Sequence, residues 1–274
     1  MVNVIPMAGL GNRFAQEGYV LPKPLIPVSG RPMIEAAIRD MPKSDKWVFL
    51  VRKEHVDNYG IDKILRRCAK NAIVVPVEKT TEGQACTCML AMPHIDRDEP
   101  LFIASCDSGA AYDRKKYEKQ AEDESVDAIV WTFTQQQTLR RNPNAWGWVV
   151  PDRDGITIKD VSIKKPVSAD PFFDHAVTAG FFFRTAGGFA DAVGSMIAQD
   201  FRINNEFYVD ALPIFLRKAR KRSVLFDVDY YIGFGTPKDL YDYQYTEYVF
   251  KNGLQATASY GNKEAVLKKY FSRK

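Results

Sequence analysis

The sequence is 274 residues long, 46% hydrophobic and 26% charged, with a formal net charge of +4. That is enough apolar material for one large core or two small ones, and a mild basicity spread along the chain argues against nucleic acid as a main partner. Four cysteines are present; Cys86-x-Cys88 has the wrong spacing for a zinc site and no histidine beside it, so free thiols in a reducing compartment are expected. No apolar run approaches the roughly 20 residues that span a bilayer. The apolar start gives way to a Gly/Asn/Arg loop too soon for a signal peptide, and a cytoplasmic location with no membrane partner is expected. The densest basic cluster, Arg217, Lys218, Arg220, Lys221 and Arg222, reads as a solvated helix end, where cations also suit the helix dipole.

In chain order, Val2 to Ile5 suits a buried strand, and Met7 to Ile34 is a long strand-to-helix loop leading into a helix from Met33 to Met41. Trp47 to Val51 is a second strand, Val56 to Ala69 a helix interrupted near Gly60, and Ala72 to Val77 a third strand. Glu78 to Ala85 leaves that strand and opens a helix carrying Ala85, Met89, Leu90 and Met92. Pro100 to Cys106 is an apolar strand ending at Asp107; Arg114 to Asp123 is a charged helix and Asp127 to Thr134 a strand. Trp146 to Val150, Ile156 to Ile163 and Ala176 to Phe183 have the content of an antiparallel or mixed extension. Ala186 to Gln199 is a helix, Asn204 to Tyr208 opens another with Asn205 as cap and Glu206 in its first turn, Ser223 to Asp229 is a strand, and a C-terminal helix runs from Lys238. The alternation predicts an α/β fold: a Rossmann-like, doubly wound, mostly parallel sheet with a mixed or antiparallel extension. We read residues 1–274 as a single domain, with 1–135 the ligand-binding half and 136–274 the extension and C-terminal helix.

The Met7 to Ile34 loop carries the chemistry. Such loops lie at the carboxyl ends of parallel strands, where open α/β sheets hold ligands. Gly9 and Gly11 permit close backbone approaches, so the amides of Ala8, Gly9, Leu10, Gly11 and Asn12 suit a phosphate cradle, with Arg13 and Lys23 adding charge. Phe14 stands where the dinucleotide fingerprint needs a third glycine, and no Gly-Lys-Ser/Thr follows. Pro22 and Pro24 fix the chain on both sides of Lys23, a rigidity that an incidental surface lysine would not need.

Gly9, Gly11, Arg13, Pro22-Lys23-Pro24-Leu25, Pro27-Val28, Gly30 and Pro32-Met33-Ile34 together resemble the signature loop of the sugar nucleotidyltransferases, which make nucleotide-sugars and release pyrophosphate. Within that family the chain most resembles a branch found in capsule and surface-polysaccharide loci. The resemblance implies a Mg²⁺-dependent enzyme that transfers a nucleotidyl group from a nucleoside triphosphate to a phosphorylated acceptor. Arg13 would hold the β- and γ-phosphates and Lys23 the α-phosphate. Gly83 would approach the base and Glu78 read its edge. A carboxylate only accepts hydrogen bonds, which favours CTP, then GTP, while a solvent-facing Glu78 remains an alternative. Asp107 would be the main Mg²⁺ ligand, being a carboxylate at a strand's end.

On the acceptor side the resemblance points to Lys165 for the acceptor phosphate and to Thr178, Gly180 and Glu206; helix capping explains Glu206 equally well. Three departures stand out. Lys164 replaces a glutamate that contacts a sugar hydroxyl in many members, which opens the question of whether the acceptor is a sugar. Glu78 stands where thymidylyl-type members have glutamine. Gly233 replaces the second metal aspartate: either one carboxylate and the substrate phosphates hold the metal, or Asp229, ahead of Asp227, substitutes from the strand just before. A catalytically silent nucleotide-binding relative is the alternative function, and a homo-oligomer is left open.

Overall fold

The computed structural model describes residues 1–254 and 260–272. The chain forms two units interleaved in sequence: Met1–Gly9, Pro42–Ser105 and Arg114–Asp227 make the first, and Leu10–Met41, Cys106–Asp113 and Val228–Lys274 the second.

The first unit is built on a nine-stranded sheet. Val2–Met7 pairs in parallel with Lys46–Arg52 and with Leu101–Ile103, and Lys46–Arg52 with Ala72–Val77. His175–Phe183 runs antiparallel to Leu101–Ile103, to Ala128–Phe133 and to Gly147–Pro151, which in turn carries Ile158–Ile163 at the edge. Ser223–Asp227 joins Ala128–Phe133 in parallel. This is the expected α/β sheet with its antiparallel extension.

Its strands are continuous apolar runs because both faces are covered. Val2, Val4, Val48, Leu50, Leu101 and Ile103 face a core shared with Phe189, Met196 and Phe207, all without solvent exposure. On the opposite face Phe102 and Tyr117 pack edge-on against Trp131 at 5.1 and 5.0 Å. Gly60 divides the expected second helix into Lys53–Tyr59 and Ile61–Cys68.

Within the second unit, Asn12–Gln16 is a short helix, Lys23–Leu25 a single 3₁₀ turn, and Pro27–Val28 and Arg31–Pro32 a small hairpin leading into the helix Met33–Asp40. Ser108–Ala111 pairs antiparallel with Tyr230–Gly233. The helices Pro237–Lys251 and Glu264–Ser272 complete the unit. Polar ties hold these helices in place: the Ser29 hydroxyl donates to Glu247 at 2.7 Å, and the Tyr270 hydroxyl donates to Asp40 while accepting from Arg39 at 3.0 Å.

Three expected elements differ. The apolar run Pro100 to Cys106 is a strand only over Leu101–Ile103, and Asp107 instead leads into the separate strand Ser108–Ala111. The strand expected to reach Asp229 ends at Asp227, so alternation does not place those two aspartates on one face. Asn205 caps no helix. Ile203 and Glu206 exchange both backbone hydrogen bonds at 3.0 Å across Asn204 and Asn205, whose φ values are +49° and +62°. This is a two-residue hairpin turn of the type that favours asparagine, and the following helix begins only at Leu212, after a 3₁₀ turn.

Candidate active site

The expected site residues are distributed over both units. In the second unit, Gly11 has φ +67° and opens the Asn12–Gln16 helix, and its carbonyl accepts from the amides of Phe14 and Ala15. A Cβ on Gly11 would stand 3.3 Å from Lys23 Cβ, so the glycine turn and the lysine turn are packed directly on each other. Pro22, with φ −54° and ψ 142°, leads into the Lys23 turn, which closes through Leu25 N–H to the Pro22 carbonyl at 2.8 Å. Asp107, 84 residues further on, forms an ion pair with the Lys23 ammonium.

Both side chains of the pair are about one-quarter exposed, at 23% and 24%. Burial disfavours the charged lysine, but Asp107 and then Cys106 outweigh it and hold the ammonium above its ordinary pKa, while Arg13 pushes it down. Arg13 is therefore close enough to repel Lys23. Two cations held within repelling range of each other, with one carboxylate paired to the lysine, make a place that an oligo-anion would stabilise.

Asp107 is also fixed from the other side. Its carbonyl accepts from Phe234 N–H at 3.1 Å, and a Cβ on Gly235 would come within 2.6 Å of Oδ2, so only glycine leaves the carboxylate where it stands. Gly233, where the resemblance led us to look for a second aspartate, lies opposite Ser108. A Cβ there would meet the Tyr231 ring at 2.8 Å. The Tyr231 hydroxyl is held well above its ordinary pKa by burial, then by Asp107 and Asp239.

Asp229, the expected substitute, stands just before the strand Tyr230–Gly233. The antiparallel register puts it four residues before Gly233 and away from Ser108, roughly 13 Å along the strand direction at about 3.3 Å per residue. Among the described residues no group of three His, Cys, Asp or Glu side chains converges on one point. Asp107 nevertheless fits a magnesium ion as a lone carboxylate, because Mg²⁺ is commonly held by one or two carboxylates with substrate phosphates and water completing its shell.

In the first unit, Ala8 is buried and Gly9 has open space where a side chain would go, so the steric need for glycine in the loop falls on Gly11. Glu78 is exposed at the end of the strand Ala72–Val77. Gly83 has φ +126°, and a Cβ there would stand 2.5 Å from the Phe207 nitrogen, 2.7 Å from its oxygen and 3.1 Å from Glu206 Cβ. The Phe207 amide donates to the Glu82 carbonyl at 2.8 Å, and the Ala85 amide to the Phe207 carbonyl at 3.0 Å. Gly83 thus serves the close approach of the Glu206–Phe207 backbone. The structure brings Gly83 and Glu206 together, with Glu206 on a hairpin and not in a helix.

Thr178 and Gly180 form a bulge in the strand His175–Phe183. The register shifts between Val177 and Phe181, and Ala179 has φ +69°. The buried Thr178 hydroxyl donates to the Trp131 carbonyl and accepts from Gly180 N–H, both at 3.2 Å. A Cβ on Gly180 would press on Trp131 at 3.1 Å. Both residues are therefore accounted for by packing. Lys165 is exposed. The Lys164 ammonium instead donates to the Ala145 carbonyl at 2.5 Å and lies 5.8 Å from the Tyr208 ring.

Sequence reading missed two clusters in this unit. Asp210 sits with its carboxylate 2.3 Å from where a Gly147 Cβ would be, its pKa raised by burial against the opposing pull of Lys164. His175 Nδ1 lies 3.3 Å from Asp227, which also accepts from Thr132 at 3.0 Å and from Thr134 at 3.3 Å. No local motif announces either cluster; the partners in the second lie 52 to 95 residues apart.

No protein-family model matches the chain. A mannose-1-phosphate guanyltransferase from Debaryomyces hansenii is 23% identical over 243 residues, covering 87% of this chain; the chain spans only 62% of that protein. A nucleoside-diphosphate-sugar pyrophosphorylase from Vibrio cholerae superposes with a TM-score of 0.71 at 19% identity, over 89% of this chain and 99% of that one. The inositol-1-phosphate CTP transferase from T. maritima gives a TM-score of 0.68 at 16% identity, over 93% and 98%. At these identities the shared property is the fold. No helix among the described residues is long and apolar enough to cross a membrane.

Proposed function

We propose that this chain is a nucleotidyltransferase of the sugar nucleotidyltransferase family, acting on a nucleoside triphosphate and a phosphorylated acceptor and releasing pyrophosphate. The observation that carries the reading is the assembly of Arg13, Lys23 and Asp107 in one unit, with the lysine kept charged despite burial. The similar fold of a nucleotide-sugar pyrophosphorylase and of a CTP transferase supports it.

In this reading an oxygen of the acceptor phosphate attacks the α-phosphorus, and the bond to the bridging oxygen of pyrophosphate breaks. A phosphate monoester is already an anionic nucleophile, so no strong base is required, and the protein contributes alignment and charge neutralisation. Lys23 neutralises charge at the α-phosphate, and Arg13, with its planar fork, holds the β- and γ-phosphates of the leaving group. Lys165 is assigned the acceptor phosphate. When bound at Asp107, a magnesium ion supplies further neutralisation of the triphosphate.

Glu78 supports CTP as the donor, because a carboxylate only accepts hydrogen bonds and cytosine offers an amino group. Synthesis of a surface-polysaccharide precursor is the finer reading, with a sugar 1-phosphate as the first acceptor to try. Pyrophosphate release from a panel of triphosphates and phosphorylated acceptors tests the proposal. A second reading, a nucleotide-binding relative without turnover, is favoured by Gly233 and by the Tyr231 ring against it, which leave Asp107 without a second carboxylate at that position. Nucleotide binding with no pyrophosphate from any pair would select it.

A further inference from the structure

The Lys23–Asp107 pair has a consequence beyond the reaction itself. The carboxylate available to a cation is already neutralised by an ammonium. A divalent ion that takes Asp107 Oδ2, the oxygen held by Lys23, competes with that ammonium and leaves its charge largely buried, beside the incoming ion and within repelling range of Arg13. Removing one partner of such a pair without replacing it is unfavourable. A triphosphate changes the balance, because its oxygens offer Lys23 a new anionic partner while the cation takes over the carboxylate.

We propose that Lys23 acts as a place-holder on the cation site, so that a divalent cation and a polyphosphate bind Asp107 and Lys23 as a coupled exchange and each binds weakly alone. The geometry favours exchange over independent binding. The Lys23 backbone is fixed by Pro22 and Pro24 and its Cβ is backed by Gly11 at 3.3 Å, so the ammonium can leave the carboxylate only by side-chain rotation. Asp107 cannot turn away freely, since Phe234 N–H holds its carbonyl and Gly235 closes on Oδ2. At position 233, opposite Ser108, glycine stands where a second carboxylate would let a cation bind without disturbing the pair. Coupling of this kind is reciprocal: the factor by which polyphosphate tightens the cation is the factor by which the cation tightens polyphosphate.

The inference rests on the nucleotidyltransferase reading only for the identity of the polyphosphate; the cation half is tested without it. Binding of Mn²⁺ alone, followed by electron paramagnetic resonance, is expected to be weak in the unaltered protein. It should become about tenfold tighter in Lys23→Met, within the usual span of site-to-site coupling, and disappear in Asp107→Asn and in the double variant. Lys23→Gln serves as the second charge-removing variant if Lys23→Met does not fold, as judged by near-ultraviolet circular dichroism. Mn²⁺ affinity unchanged in both folded lysine variants, or retained in Asp107→Asn, overturns the place-holder role. Tighter Mn²⁺ in the lysine variants with no pyrophosphate release from any substrate pair supports the place-holder and removes nucleotidyl transfer. Pyrophosphate release with unchanged Mn²⁺ affinity does the reverse.

Discussion

Replacing Gly83 with alanine separates two uses of that glycine. A glycine kept only so that a ligand can approach would cost the ligand-free protein backbone strain alone when replaced; one kept for the Phe207 backbone would cost its hydrogen bonds as well. At φ +126° and ψ 174° the position lies in a region that is essentially glycine-only, and forcing another residue there costs about 1–3 kcal/mol. The new Cβ would stand 2.5 Å from one backbone atom and 2.7 Å from another, so the Phe207 segment must move. That movement breaks the Phe207–Glu82 and Ala85–Phe207 backbone bonds of 2.8 and 3.0 Å, each worth about 0.5–1.5 kcal/mol. The sum is about 2–6 kcal/mol, and at roughly 2–4 °C per kcal/mol for a chain of this size it corresponds to a fall in Tm of about 4 °C at the least. Differential scanning calorimetry of the ligand-free Gly83→Ala protein measures it. A Tm within about 2 °C of the unaltered protein, below that minimum, combined with weakened nucleotide binding, would refute the packing argument.

Glu78→Gln introduces hydrogen-bond donors at the end of its strand and should shift the preferred triphosphate from CTP towards UTP in competition assays; an unchanged order means that Glu78 does not read the base. Thr236 caps the helix Pro237–Lys251, accepting from Asp239 N–H at 3.1 Å and donating to its carboxylate at 2.7 Å. Thr236→Ala should therefore cost about 0.5–2 kcal/mol, seen as faster hydrogen exchange in that helix's first turns, and Thr236→Ser should restore it. The Asp154 carboxyl is held at about 2, below its ordinary 3.8, by the Thr157 hydroxyl and then by the amides of Ile156 and Thr157. Because the folded value is the lower one, its stabilising contribution is present above the unfolded pKa and is lost as pH falls through the folded one. A carboxyl-carbon titration with its midpoint near the ordinary value would contradict these bonds.

Much of the fold was legible because the parallel strands are buried on both faces and read as short apolar runs, as in Lys46–Arg52 and Ala128–Phe133. The loop around Lys23 was legible because prolines constrain a charged residue locally. The misreadings share a physical cause. Asparagine suits both a helix cap and a left-handed turn, so Asn204-Asn205 is ambiguous until Ile203 and Glu206 are seen to pair. The run from Leu101 to Cys106 stays apolar although its strand ends at Ile103, because Cys106 is buried in the second unit and not in the sheet. Asp229 was chosen by its distance from a strand end that the chain does not have. Gly83 against Phe207, Gly235 against Asp107, and His175 with Asp227 are contacts between distant segments, and no local pattern encodes them.

The central claim is that the α-phosphorus of a nucleoside triphosphate passes to an acceptor phosphate under the control of Lys23. It is tested most directly with CTP radiolabelled at the α-phosphorus, incubated with Mg²⁺ and a sugar 1-phosphate or another phosphorylated acceptor. The account predicts label in a new nucleotide-linked product, one unlabelled pyrophosphate per transfer, and a rate lower by about two to three orders of magnitude in Lys23→Ala, the usual loss when one electrostatic donor is removed. Label appearing only as free CMP, or transfer by Lys23→Ala at the rate of the unaltered protein, would contradict it.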